Sequence, residues 1–214
     1  MIDLSLPPGP LHVLCLGAHP DDIEIGCGGL LLGLAARGAV TATFAMLTGT
    51  PERQAEARDA AEAFLPGARV RFWDLPDGRL PGRWDDVKAA LEELAGDEAP
   101  HLVLCPRRDD SHQDHRLVSE LVPTAWRDAL VLEYEIPKWD GDLGPATHYV
   151  PLDEDAARRK VELLSKSYPS QTGRDWWDEE MFLGLMRMRG VECRHRYAEA
   201  FVARKAVLSL GGPA

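Results

Sequence analysis

The property that most restricts the fold of this chain is an alternation of short apolar runs with longer segments of helical character. Leu11–Gly17, Val40–Leu47, Arg69–Leu75, Pro100–Cys105 and Val131–Ile136 have the length and the apolar, β-branched content of strands. Helices lie between them. Residues 30–36 read as a helix closed by Gly38 at its C-cap, and Thr50 is an N-cap with Pro51 at the first position of a helix to Leu65. Trp84–Leu94 forms a third helix. Beyond the fifth strand, the tract P-K-W-D-G-D-L-G-P is loop by its Pro and Gly content. Asp153 caps a helix running to about Ser167, Trp176–Arg189 is a further helix, and Ala198–Val207 is a last strand.

Strand–helix–strand units at this spacing join parallel strands through right-handed crossovers. The expected fold class is therefore α/β, a Rossmann-like three-layer sandwich with a mostly parallel sheet and its metal site at the carboxyl edge of the strands. One domain over residues 1–214 is expected, long enough to bury a sizeable core. The 24 basic and 35 acidic residues, net −11, argue against a nucleic-acid partner, which needs a basic footprint. No run reaches the roughly 18 apolar residues of a membrane span. The N-terminus carries Asp3 and no basic start, unlike a signal peptide. Cys15, Cys27, Cys105 and Cys193 form no C-x-x-C pair, so free thiols in a reducing cytoplasm are expected.

The first strand runs straight into A-H-P-D-D-I-E-I-G-C-G-G, Ala18 to Gly29. Pro20 stiffens this turn. His19 and Asp22, three apart, share a face of a helical turn and could hold one ion, while Asp21 points elsewhere. Gly26, Gly28 and Gly29 let other groups approach the backbone closely. The fourth strand runs into C-P-R-R-D-D-S-H-Q-D-H-R, Cys105 to Arg116, where Asp114 lies between His112 and His115. If strands one and four are neighbours, both clusters meet at one edge. One histidine from the second then completes a His-Asp-His set of the kind that holds zinc with positions left for water and substrate. The same donors suit Fe(II), manganese or nickel.

Taken together, A-H-P-D-D-x-E-x-G-C-G-G and D-D-x-H-x-D-H resemble the PIG-L/LmbE-like family of zinc-dependent N-acetyl-sugar deacetylases. Its members act in mycothiol, bacillithiol, glycosylphosphatidylinositol and glycopeptide-antibiotic synthesis. The resemblance implies His19, Asp22 and His115 as zinc ligands and Asp21 as general base. It implies His112 as a second catalytic group, kept charged and oriented by Asp114. P-E-R-Q-A-E-A resembles the family's R-x-x-E-A helix start, which implies that Arg53 contacts substrate. Gln113 stands where many relatives have proline. Lys160, Ser170-Gln171 and the tract Tyr197–Phe201 match later parts of the family pattern. The match is continuous over residues 11–116 and patchy beyond, so the substrate-facing walls are its least constrained part.

What the resemblance implies is hydrolysis of the acetamide of an N-acetylglucosamine-type sugar or conjugate to acetate and an amine. The partner is then a small acetylated amino sugar, with a homo-oligomer compatible. The rival readings are another metallohydrolase, such as a phosphoesterase using Asp109 and Asp110, or a metal-holding sugar-binding module without turnover. Acetate against phosphate release separates the first, and Asp21 and His112, superfluous for binding alone, argue against the second. Lys138-Trp139 and Trp176-Trp177 offer sugar-stacking surfaces, although core packing is the default for tryptophan. Met181, Met186 and Met188 are expected in a core helix. Glu24 reads as a solvated helix end, and Arg107 and Arg108 as solvated arginines.

Overall fold

Apolar runs without polar alternation are buried on both faces, as parallel strands are. The computed structural model describes residues 1–208 and pairs those runs accordingly. Strands β1 (Leu11–Gly17), β2 (Val40–Met46), β3 (Arg69–Phe72), β4 (Leu102–Pro106) and β5 (Leu130–Tyr134) are mutually parallel, in the order β3-β2-β1-β4-β5. β1 and β4 are neighbours, with Val13 opposite Leu102 and Cys15 opposite Leu104. The carboxyl ends of the two motif-bearing strands are therefore adjacent.

Helices α1 (Asp22–Arg37), α2 (Pro51–Phe64), α3 (Trp84–Asp97), α4 (Gln113–Ala125), α5 (Glu154–Ser167) and α6 (Glu179–Cys193) cover the two faces. One core layer joins α1, α2, α5 and α6 to the sheet, and a smaller one joins α3 and α4. Capping follows the sequence: the Thr50 hydroxyl accepts from the Arg53 amide at 3.3 Å, and the Gly38 amide donates to the Ala35 carbonyl. All four cysteines are buried and free. Among the described residues no helix is long and apolar enough to cross a membrane.

Several expectations fail, each for a physical reason. A strand absent from the sequence reading, β6 (His148–Leu152), forms the sheet edge against β7 (Tyr197–Val202). It is short and contains Pro151, which only an edge strand tolerates. β7 stops at Val202 rather than Val207 and runs antiparallel to β5 and β6. α6 starts at Glu179, after an N-cap at Asp178 whose carboxylate accepts from the Met181 amide, so Trp176 and Trp177 precede it. Met188 is 55% exposed, while Met186 is buried as expected. Arg107 is buried near Glu135, at 3.7 Å, instead of solvated.

The glycine-rich segment is helical and kinked, with Cys27 at φ −142° and ψ 21°. The kink frees the amides of Gly29 and Leu30, and both donate to the Glu199 carboxylate of β7, at 2.6 and 2.7 Å. Lys160 Nζ completes the joint, donating to Ile25 O at 2.6 Å and to Glu199 at 2.7 Å. A Cβ at Gly26, Gly28 or Gly29 would lie 2.1 Å from Tyr134, 2.7 Å from Phe64 or 2.4 Å from Leu152. The glycines let three elements press against the start of α1. Glu24 belongs to this packing too. It is buried, Tyr168 donates to its carboxylate at 2.8 Å, and burial pushes its carboxyl up to about 8.

Candidate metal centre

Between β1 and α1 the chain turns within four residues, and the turn is held in an uncommon conformation. Asp21, at the N-cap of α1, has φ 98° and ψ −26°, a left-handed backbone that costs a non-glycine residue about 1–3 kcal/mol. Pro20 packs on Gly49, where a Cβ would lie 2.7 Å from its ring. Asp22 Oδ2 accepts the His19 amide at 2.8 Å. This conformation aims Asp21 and Asp22 in different directions.

His19 and Asp22 meet His115, from the first turn of α4. His19 Nδ1 lies 3.1 Å from His115 Nε2 and 3.4 Å from Asp22 Oδ2, and His115 Nε2 lies 3.3 Å from Asp22 Oδ1. Donors about 2.1 Å from a tetrahedral ion stand about 3.4 Å apart. The three groups therefore have both the identity and the spacing of a transition-metal donor set. His112 joins the group, its ring centroid 4.7 Å from that of His19 and 4.6 Å from that of His115. Cys27 is not among these donors; its thiol donates to the Ile23 carbonyl.

Each imidazole that meets Asp22 presents its other nitrogen to a carboxylate. His115 Nδ1 is 2.9 Å from Asp110 Oδ2, and His19 Nε2 is 2.9 Å from Asp77 Oδ1 and 3.4 Å from Asp114 Oδ2. Carboxylates so placed fix the tautomer and orientation of a metal-binding histidine. Asp114, fully buried, also accepts the amides of Gly78 and Leu80 at 2.8 and 3.1 Å. The expectation that Asp114 pairs with His112 needs correction. Only the Asp114 backbone amide meets His112, donating to Nδ1 at 3.2 Å, while its carboxylate faces His19.

Asp77 and Asp110 were not assigned to this set from sequence. Asp77 stands in Pro76-Asp77-Gly78, a common turn sequence that by itself signals nothing more. Asp110 was a spare acid of the second motif, and its side chain also caps the His112 amide at 2.7 Å. Its five-residue spacing from His115 was the only available signal.

The electrostatics suit a cation. Burial opposes the charge on Asp22, but the imidazoles of His115 and His19 overcome it and hold the carboxyl well below its usual range. Burial likewise opposes protonation of His19 and His115, yet the surrounding carboxylates hold both above the ordinary value. The cluster stabilises positive charge where the donors converge. Asp21 behaves differently: burial pushes it up to about 6 against the pull of Arg53. His112 is pushed down to about 4 by burial and by the neighbouring His115 and His19.

Arg53 Nη2 donates to Asp21 Oδ2 at 2.7 Å and to the Pro20 carbonyl, and Nη1 donates to Ser170 Oγ at 3.2 Å. Its guanidinium thus bridges the first motif and the loop after α5, at the wall of the site. A cavity of about 620 Å³ opens over His19, Asp21, His112 and His115, with Arg53, Lys138 and Trp139 along its sides. A wider groove lined by Leu32, Arg158, Lys166 and Glu179 lies elsewhere and contains no convergent donor set among the described residues.

Known proteins share this fold and part of this sequence. The uncharacterized deacetylase YaiS of Escherichia coli strain K12 is 34% identical over 137 residues, 58% of this chain and 74% of that protein. N,N'-diacetylchitobiose deacetylase of Pyrococcus horikoshii superposes with a TM-score of 0.69 at 20% identity, covering 90% of this chain and 83% of that one. The 4-carboxy-2-hydroxymuconate hydratase GalB of Pseudomonas putida KT2440 superposes with a TM-score of 0.75 at 18% identity, covering 95% and 100%. At such identities a superposition establishes the fold alone, and this fold carries both a deacetylase and a hydratase. The family model for GlcNAc-PI de-N-acetylases matches residues 14–126, more than half of the chain and both motifs, and the chain belongs to that family, PIG-L.

Proposed function

We propose that the chain is a zinc-dependent N-deacetylase of the cytoplasm, acting as one domain on the acetamide of an N-acetylglucosamine-type sugar or conjugate. The observation that carries this reading is the convergence of His19, Asp22 and His115 donors at 3.1 to 3.4 Å beside Asp21, a buried carboxylate left out of that set. YaiS and the chitobiose deacetylase support the reaction class. His19, Asp22 and His115 would hold the ion, with Asp110 and Asp114 orienting the two imidazoles. A bound zinc ion supplies Lewis acidity and lowers the pKa of water from 15.7 to about 7.

The chain's own groups handle the protons. Asp21, with its carboxyl raised to about 6, is matched to a general base near neutral pH. It takes a proton from the attacking water, and it is placed to return one to the departing amine. Arg53 fixes the carboxylate in direction and borders the substrate. His112 Nδ1 accepts the Asp114 amide, which leaves the proton of the neutral ring on Nε2. The ring then donates that N–H to the developing oxyanion, a contribution of roughly 3–4 kcal/mol for such a donor. This neutral role replaces the charged imidazole expected from sequence.

The test measures amine and acetate release from a panel of N-acetylglucosamine conjugates, beside phosphate release from phosphate esters, with metal content determined on the same protein. Amine release that stops on chelation and returns with one zinc per chain is the expected result. Phosphate release, or a zinc-loaded protein inert on the whole panel, would overturn the reading.

A further inference from the structure

The sequence offers Lys138-Trp139 and the pair Trp176-Trp177 as stacking surfaces, and the structure divides their three tryptophans by environment. Trp177 is buried between Tyr168 and Phe182, with ring centroids at 6.0 and 5.3 Å, and belongs to the core. Trp139 is 61% exposed, and Trp176 is half-buried; both line the cavity over the metal centre. Their rings meet edge to face, with centroids 5.8 Å apart and planes at 75°. The corner thus formed joins two loops, residues 137–147 after β5 and 168–178 after α5.

Both loops are fixed. Asp142 accepts the Ser111 amide at 2.6 Å, and the Gly144 carbonyl accepts Arg189 Nη2 at 2.9 Å. Arg189 is itself held by the Glu135 carboxylate through two bonds, at 2.8 and 2.7 Å. The other loop is tied through Ser170, whose amide and hydroxyl both donate to Glu56, at 2.8 and 2.7 Å. Trp139 Nε1 donates to Asp175 at 3.1 Å and closes the two loops on each other. A large aromatic ring held this firmly in an exposed position is pre-organised to meet a ligand.

The polar groups beside the rings indicate what it meets. Lys138, Asp140, Gln171 and Arg174 line the same stretch of the cavity. Lys138 Nζ stands 3.8 Å from Asp140, and among the described residues the Arg174 side chain is bonded to Gln171 alone, its Nε donating to Oε1 at 2.7 Å. A flat apolar face bordered by donors and acceptors matches a pyranose ring, with its C–H face and its rim of hydroxyls. An alkyl chain would leave those polar groups unused. A cavity of about 620 Å³ also falls in the range that encloses ligands larger than one hexose.

Resting on the deacetylase reading, we infer that Trp139 and Trp176 form a subsite for a second sugar ring joined to the acetamido sugar. Trp139 is then a specificity-determining residue, and a disaccharide is preferred to the free monosaccharide.

The probes are N,N'-diacetylchitobiose and N-acetylglucosamine, each assayed for amine release and for binding by tryptophan fluorescence and calorimetry. Wild type should favour the disaccharide in kcat/KM by about tenfold or more, and Trp139→Ala should reduce that ratio by about tenfold. Trp176→Phe should reduce it less. Trp84→Ala, at an exposed tryptophan of α3 outside the cavity, should leave the ratio within about twofold of wild type. An unchanged ratio in Trp139→Ala with deacetylation intact overturns the subsite and leaves the activity standing. An altered sedimentation coefficient with an unchanged ratio overturns it in favour of contact with a second copy. If no sugar is deacetylated, the activity reading fails, while tighter binding of the disaccharide that Trp139→Ala abolishes still upholds the subsite.

Discussion

The parallel half of the sheet, β1 to β5, and the C-terminal third, α5 to β7, contribute to the site in opposite ways. The parallel half supplies the converging histidines and carboxylates of the candidate site in two short stretches, Ala18–Gly29 and Cys105–Arg116, each following a strand. The C-terminal third supplies few reactive groups. It contributes support, with Glu199 and Lys160 holding the kink of α1, Tyr168 holding Glu24, and Ser170 holding Arg53. Chemistry is local because a strand end delivers neighbouring residues to one place. Support is distributed because a kinked helix has to be held from wherever the fold brings a partner.

The sharpest test of the parallel half is His115→Ala. Removing one donor from a three-residue set should abolish stoichiometric metal binding and reduce turnover to background. Elemental analysis of the purified variant, beside the amine-release assay, checks both. A variant that kept its metal would move the centre to another set, with His112 the nearest replacement. Next in size is Asp21→Asn. It preserves shape and leaves all three donors in place, so metal content should stay at one per chain while kcat falls by about 10²–10⁴. Equal loss of metal and activity would mean that Asp21 is a ligand rather than a base.

The C-terminal third is tested by Glu199→Ala. Lys160 would keep a buried ammonium without its counter-ion, and the amides of Gly29 and Leu30 would lose their acceptor. Losing one partner of such a buried pair costs about 3–5 kcal/mol. Urea unfolding should show a lower midpoint, and the double variant Lys160→Met/Glu199→Ala should recover part of the loss because no charge is stranded. If the single change were neutral, the kink of α1 would not depend on β7.

The contrast between these regions also explains what could be read from sequence. β1 to β5, α2, α3 and α5 were legible because apolar runs, caps and Pro or Gly punctuation are local signals. The meeting of His19 and Asp22 with one histidine of the second motif was legible through one topological step, the adjacency of β1 and β4, while the choice of His115 over His112 rested on the family resemblance. β6 was not, because five residues containing Pro151 resemble a loop until β7 lies beside them. Glu24 looked solvated because nothing near it in the chain announces Tyr168, 144 residues away. Asp114 was assigned to the wrong imidazole for the same kind of reason. The resemblance gave it His112, two residues earlier in sequence, but the amides of Gly78 and Leu80 draw its carboxylate toward His19.

Asp110 gives the finest test of this division, because it belongs to a legible motif yet acts as support. Its Oδ2 is 2.9 Å from His115 Nδ1 and its Oδ1 accepts the His112 amide at 2.7 Å. One carboxylate therefore sets the direction of the His115 imidazole and the start of α4 together. Asp110→Asn keeps an acceptor for the His112 amide but turns a donor NH2 toward His115 Nδ1 and removes the charge that strengthens His115 as a ligand, and such changes typically cost 10–100-fold in metal affinity. Competition with a chromophoric chelator should give a loss in that range, with kcat close to wild type at saturating zinc. Asp110→Ala should weaken zinc further and lower the thermal midpoint as well, since the His112 amide also loses its cap. If Asp110→Asn instead reduced kcat at full zinc occupancy, the carboxylate would act in the reaction itself, and the boundary between reactive groups and support would have to be redrawn through the second motif.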